Sequence, residues 1–331
     1  MKLSQRIDLL EKLGTYLLED GPQLKEVKKK AYESNKWFTE EFTGLAIRNI
    51  ANLMLKRDLL NQWAAHYQLD DNILPRTVGI VMAGNIPLVG FHDFLSVFVS
   101  GHRQMVKLSE KDRILLPHLV DQLTRWEGEV GKSVVFADLL AGCDAYIATG
   151  SNNSARHFHH YFGKYPSLIR SNMTSVAILT GSESIKDLES LADDVHTYFG
   201  LGCRNITHLY VPAGYEFENL LQVFKKYEYL MDHTKYRNNY DYNLALLIMN
   251  QKLYMTNGST ILTEGEELFA PVSQLFYTFY GDKDVLIKDL QQHPNIQCII
   301  GKGFTGFGQS QMPGLFDYAD GADVMQFLLG I

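Results

Sequence analysis

The chain has 331 residues, 46% of them hydrophobic, which is the composition of a soluble globular protein with room for two domains at roughly 150 residues each. Lys and Arg number 31 against 38 Asp and Glu, a net charge of −7, and this weighs against a nucleic-acid partner. The three cysteines, Cys143, Cys203 and Cys298, show no CxxC spacing and support neither a disulfide framework nor a zinc site.

Residues 4–68 read as helices. Leu9, Leu10, Leu13, Leu17 and Leu18 recur at helical spacing, and Gly21-Pro22 breaks the first run. The stretch from Met1 to Arg6 leads into this charged amphipathic run without a signal-peptide core. No apolar run approaches the length of about 18 residues that spans a bilayer, so no membrane span is expected and the cytoplasm is the default compartment. At Arg76 the pattern changes. Thr77 to Met82 is a β-rich run ending at Ala83-Gly84-Asn85-Ile86-Pro87, and an apolar helix from Phe91 to Val99 follows, closed by Gly101. A strand over 104–108, a helix over 112–126 and strands over 134–136 and 145–148 come next. Gly150-Ser151 then opens a helix to about Tyr161. Such alternation predicts a parallel sheet with crossover helices. From about residue 182 the order repeats: a helix over 184–198, a strand over 207–211, helices through roughly 215–250, and strands over 274–279 and 296–300.

Cys203 carries the strongest chemical signal. It follows a helix and precedes a strand, within Tyr198-Phe199-Gly200-Leu201-Gly202-Cys203-Arg204-Asn205. A thiol flanked by glycine at a chain reversal is accessible and lies near backbone N–H groups, although a lone cysteine is more often a small core residue. Thr149-Gly150-Ser151 opens a helix after a strand, where free N–H groups and the helix dipole attract an anion; an ordinary Ser cap accounts for the same residues. Gly301-Lys302-Gly303-Phe304-Thr305-Gly306 matches a dinucleotide fingerprint by letter. It lacks the helix, second strand and acidic residue that the fingerprint requires, and reads as a decoy. His157, His159 and His160 scatter around a helical turn and read as a wet face. His208 and His233 receive no role.

In their order and spacing these motifs resemble the aldehyde dehydrogenase superfamily, and within it the LuxC-like acyl-CoA reductase branch, over roughly residues 75–315. The resemblance implies an aldehyde-dehydrogenase-like α/β fold of two doubly wound parallel-sheet domains with an N-terminal helical segment. The expected organisation is a helical segment 1–75 packed on a dinucleotide-binding domain 76–181, a catalytic domain 182–312 with the Cys nucleophile, and a tail 313–331 returning to the cofactor domain. By resemblance, Cys203 is the nucleophile and Asn85 donates to the oxyanion. Lys107 and Ser109 contact the cofactor's adenosine ribose, Gly150 and Ser151 lie beside its pyrophosphate, and Glu267 holds the nicotinamide ribose. Ala270 stands where the family's Glu-x-Phe-Gly-Pro motif has glycine.

Hydrolytic members carry Glu-Leu-Gly-Gly, whose Glu activates water. Here the corresponding stretch is Arg170-Ser171-Asn172-Met173-Thr174-Ser175, without a carboxylate. The expected activity is therefore reduction of a fatty acyl thioester, acyl-CoA or another acyl donor, to an aldehyde by NADPH, with NADH as the other cofactor and an acyl-cysteine thioester intermediate. Nearby backbone N–H dipoles or Arg204 would lower the Cys203 pKa. A homodimer is compatible with this reading. Two alternatives stay open: an acyl-phosphate or semialdehyde-type reductase of the same superfamily, and a non-catalytic relative acting as a scaffold in a lipid-processing complex.

Overall fold

The computed structural model describes residues 1–331 and divides into two compact units. The first comprises Met1–Asn172 and Pro313–Ile331, and the second Met173–Met312. The chain thus passes from one unit to the other after Asn172 rather than after Gly181, a correction to the expected boundary. The strand that follows the crossing pairs with the second sheet, and residues 1–75 belong to the first unit outright.

The first unit begins with four helices: α1 (Leu3–Glu19), α2 (Pro22–Ser34), α3 (Glu40–Leu53) and α4 (Arg57–His66). Their boundaries follow from local chemistry. Pro22 starts α2 at a position where a missing N–H costs nothing, and the Thr39 side chain accepts from Phe42 N to cap α3. Ile7, Leu10, Leu13 and Leu17 form the buried stripe of α1.

Next come β1 (Thr77–Val81), α5 (Phe91–Ser100), β2 (Arg103–Lys107), α6 (Leu115–Trp126), α7 (Val130–Ser133), β3 (Val134–Phe136), β4 (Ala145–Thr149), α8 (Asn152–Phe162) and β5 (Ser167–Arg170). The five strands form one parallel sheet in the order β3-β2-β1-β4-β5. Its winding reverses at β1 and β4, and ligands of such sheets enter at the carboxyl ends of the strands beside that reversal. β1 and β4 are buried on both faces. The whole of α5 except His92 is buried, as a crossover helix on a central strand must be. Gly101, at φ 89°, ends that helix in the left-handed region.

The second unit runs through β6 (Thr174–Ile178), α9 (Ile185–His196), β7 (Ile206–Pro212), α10 (Glu218–Phe224), α11 (Thr234–Met249), β8 (Met255–Thr256), β9 (Ile261–Glu264), β10 (Gln274–Tyr280), α12 (Lys283–Gln292) and β11 (Ile296–Gly301). Its sheet has the order β11-β6-β7-β10-β9-β8, parallel except for the β8–β9 pair.

The returning tail ends in α13 (Val324–Leu329) and is built into the core of the first unit. Val324, Met325 and Leu328 are buried with Val78, Ile80 and Val97. Trp63 Nε1 donates to Tyr318 Oη at 2.9 Å, and Tyr67 Oη donates to Asp323 Oδ2 at 2.6 Å.

Candidate active site

In the first unit the expected residues gather at the carboxyl edge of the sheet. Asn85 lies in the loop after β1, Lys107 ends β2, Ser109 follows it, and Gly150 and Ser151 follow β4. Two glycines make this edge compact. A Cβ at Gly84 would come within 2.6 Å of Ser109 Cβ and Oγ, and one at Gly150 within 2.8 Å of Ser154 Cβ. Ser151 caps α8, its Oγ accepting from Ser154 N at 3.2 Å, and the first turn of α8 carries no acidic residue. His157, His159 and His160 are exposed along that helix.

The same edge holds polar atoms without protein partners. Thr149 Oγ1 and Asp112 Oδ1 are buried and unsatisfied, although the other Asp112 oxygen accepts from Leu88 N at 2.9 Å. Burial raises the Asp112 pKa, against the lowering effect of backbone N–H groups of Leu88, Leu115 and Ile114. Bare glycine backbone and a helix N-terminus free of carboxylates suit an anionic dinucleotide. The residues of this edge therefore fit a dinucleotide cofactor.

In the second unit, Cys203 is half-buried, whereas Cys143 and Cys298 are buried. The expected helix through residue 198 instead stops at His196. Tyr198 (φ 57°), Phe199 (φ 58°) and Gly200 (φ 73°) then form a left-handed turn. That conformation costs roughly 1–2 kcal/mol for each L-residue with a Cβ, so the surrounding structure must impose it. Phe199 is buried against His233 and Tyr236, with ring centroids 4.6 and 6.0 Å away. Asn205 does the rest. Fully buried, it directs Nδ2 at the carbonyls of Asp194 (3.0 Å), Val195 (3.2 Å) and Thr197 (2.8 Å), and its Oδ1 accepts from Gly202 N at 2.7 Å. The Cys203 carbonyl accepts from Ser175 Oγ at 3.1 Å. The Cys203 turn is thus pinned on both sides of the thiol.

Arg204 has a more particular direction than its position predicts. Its Nη1 lies 3.1 Å from Cys298 Sγ on β11, so one arm of the guanidinium serves the second thiol. Glu267 is exposed, but its backbone is fixed: its carbonyl accepts from His208 Nδ1 at 2.9 Å, and Leu268 O accepts from Thr207 Oγ1 at 2.6 Å. The Glu267 segment therefore runs beside the start of β7, just beyond the Cys203 turn. His208 Nε2 lies 3.0 Å from Thr278 Oγ1, whose hydroxyl also donates to Gly265 O at 2.8 Å. Burial lowers the His208 pKa, and its hydrogen bond to Glu267 and the Glu267 charge raise it.

Sequence reasoning gave Asn205 and His208 no role, because neither belongs to a motif that marks a buried hydrogen-bonding centre. It also passed over Arg170, which ends β5. Arg170 is 4% exposed, and its Nη1 is 2.8 Å from each carboxylate oxygen of Asp93. The Gly301–Gly306 segment ends β11 and turns through Gly301 and Gly303 at φ 148° and 94°, with no helix following. It does not form a dinucleotide loop.

No protein-family model matches the chain, and no curated protein matches it. Solved structures do. The NAD-dependent aldehyde dehydrogenase of Sinorhizobium meliloti superposes with a TM-score of 0.63 at 14% identity, over 94% of this chain and 72% of its own. An indole-3-acetaldehyde dehydrogenase complexed with NAD+ gives 0.63 at 14%, over 88% and 70%. HpcC of Thermus thermophilus gives 0.63 at 12%, over 91% and 70%. The chain has the aldehyde-dehydrogenase-like fold.

Proposed function

We propose that the protein is a nicotinamide-dependent oxidoreductase of acyl groups, and specifically a reductase that converts a fatty acyl thioester to an aldehyde through an acyl-Cys203 intermediate. Cys203, presented on a strained and pinned turn, is the observation that carries the reading. Strained backbone at Tyr198 and Phe199, a few residues before a half-buried thiol, is the expected surrounding of a positioned nucleophile.

The Cys203 thiolate attacks the thioester carbonyl. The bond to the donor sulfur breaks, coenzyme A leaves as its thiolate, and the acyl group remains on Cys203 Sγ. By the resemblance, the oxyanion role is assigned to the Cys203 N–H and the Asn85 amide. Lys107, Ser109, Gly150, Ser151 and Glu267 are assigned to the cofactor, NADPH with NADH as the alternative, which when bound supplies the hydride. Release of aldehyde returns the electron pair to Cys203 Sγ.

Reduction is favoured over hydrolysis by what stands at the end of β5. The resemblance places a water-activating Glu there in hydrolytic enzymes, and this chain has Arg170-Ser171-Asn172-Met173-Thr174-Ser175, without a carboxylate. The nearby Asp93 carboxylate is committed to Arg170, and a carboxylate held in a buried ion pair is a poor general base. An acyl-enzyme in this protein should persist against water and yield to a thiol.

Rates of aldehyde formation from matched acyl-CoA and acyl phosphate substrates, in wild type and Asn85→Ala, test the reading. Acyl-CoA turnover that falls roughly 10²–10³-fold in the variant, the usual cost of losing an oxyanion donor, supports it. Turnover of acyl phosphate alone moves the activity to the phosphate class, and an unchanged rate removes Asn85 from the chemistry.

A further inference from the structure

Arg170 is more than half of an ion pair. Its Nη1 alone contacts Asp93, and its Nε and Nη2 have no partner although the residue is 4% exposed. Three guanidinium hydrogens are therefore left over in a place shielded from solvent. An unmade hydrogen bond to a buried group is costly, and a protein that keeps one usually keeps it for a partner.

The place is specific. β5 lies beside β4, and β4 beside β1, the strand that leads into α5. To reach Asp93 in the first turn of α5, the Arg170 side chain crosses the carboxyl end of β4. Thr149 stands in register with Arg170 there, and the Arg170 carbonyl accepts from Gly150 N at 3.2 Å. Thr149 Oγ1 is the second buried atom at this edge without a partner. Two register partners on adjacent strands, one with an unsatisfied guanidinium edge and one with an unsatisfied hydroxyl, thus end β5 and β4 beside the sheet's winding reversal.

Charge narrows the ligand. Asp93 neutralises Arg170, and Asp320, on the returning tail, also faces the cluster. Burial raises the Asp320 pKa, with Arg170 lowering it and Asp93 raising it. Two carboxyl groups around one cation disfavour a phosphate dianion. The free guanidinium edge suits a neutral carbonyl oxygen, and the adjacent hydroxyl suits an N–H. Together they match an amide.

We infer that Arg170 and Thr149 form a binding subsite for an amide group of the bound ligand, the guanidinium donating to its carbonyl oxygen and the Thr149 hydroxyl accepting from its N–H. The inference rests on the proposed function, in which two ligands carry such a group: the nicotinamide end of the cofactor and the pantetheine arm of the acyl donor.

Calorimetric titration of the full chain separates the sources. NADPH is compared with its phospho-ADP-ribose fragment, which lacks nicotinamide. Coenzyme A is compared with its adenosine bisphosphate fragment, which lacks pantetheine. Both pairs are measured in wild type, Thr149→Val and Arg170→Lys; the lysine keeps a charge for Asp93 and loses the free edge. The expected result is about a tenfold weakening of one whole ligand in Arg170→Lys, a smaller weakening in Thr149→Val, and unchanged binding of its fragment. The affected pair names the source. If the lysine variant fails to fold, Asp93→Leu/Arg170→Met replaces the pair by apolar residues of similar size, a change that buried ion pairs often tolerate, and the same weakening is expected. Whole ligands that bind wild type and both variants equally, or that weaken in step with their fragments, overturn the subsite alone. Wild type that binds neither NADPH nor coenzyme A contradicts the functional reading and the subsite with it.

Discussion

Asn205 shows how much one buried side chain can decide. Its carboxamide satisfies carbonyl groups at the end of α9 that would otherwise be orphaned, and it fixes the amide just before Cys203. Alanine at this position would leave those carbonyls and Gly202 N–H unpaired in a closed space. A stability loss of about 2 kcal/mol or more is expected, with a larger functional effect, because the left-handed turn loses its main restraint. Acylation of Cys203 in Asn205→Ala, measured by rapid quench at a temperature where circular dichroism shows the variant folded, should slow at least about tenfold. A rate within a factor of two of wild type would mean that the turn holds its shape without Asn205. Arg204 offers the complementary lesson. Adjacency to Cys203 suggested that its charge served the nucleophile, whereas the structure directs one of its nitrogens to Cys298.

At the scale of elements, α9 and the turn after it explain both what was legible and what was not. The start of the helix follows from Ser184 and Asp187, which form a capping box. Its end does not, because Tyr198 and Phe199 carry no local signal for a left-handed backbone. The restraint comes from Asn205 and from rings distant in sequence. Likewise the positions of Asn85, Lys107, Ser109, Gly150 and Ser151 at strand ends could be read from alternating apolar runs and glycines. β5 and β9 could not, being short strands whose partners alone define them. His196 tests the packing of this region. Its ring is buried, with Nδ1 donating to Ala192 O at 2.9 Å and Nε2 accepting from Thr260 Oγ1 at 2.8 Å. Burial lowers its pKa from 6.5 to about 4. The unfolded chain therefore binds a proton near pH 6.5 that the folded chain refuses until about pH 4. Stability from this group is complete above the unfolded pKa and is lost as pH falls through that window, by about 3 kcal/mol in all. Urea unfolding of wild type and His196→Gln across the window should show the wild type's advantage shrinking as pH falls. An advantage independent of pH would mean that His196 is not held neutral.

The whole molecule repeats one device, a parallel sheet fed by crossover helices, in two units joined at residues 172–173 and 312–313. The repetition was visible in the sequence, but the crossing point was not. Ser171-Asn172 has no glycine or proline to mark a linker, and β5 is followed almost at once by β6. The similarity to solved aldehyde dehydrogenases, at 12–14% identity, reaches the fold; the proposed chemistry rests on Cys203 and on the carboxylate-free stretch from Arg170 to Ser175. Intact-protein mass spectrometry of wild type and Cys203→Ser, mixed with a series of fatty acyl-CoAs and then with NADPH, addresses that chemistry most directly. The account predicts an acyl adduct on wild type alone, stable in water over minutes and cleared by NADPH as aldehyde appears. An adduct of equal yield on Cys203→Ser, or no adduct on wild type with any acyl-CoA, would contradict it.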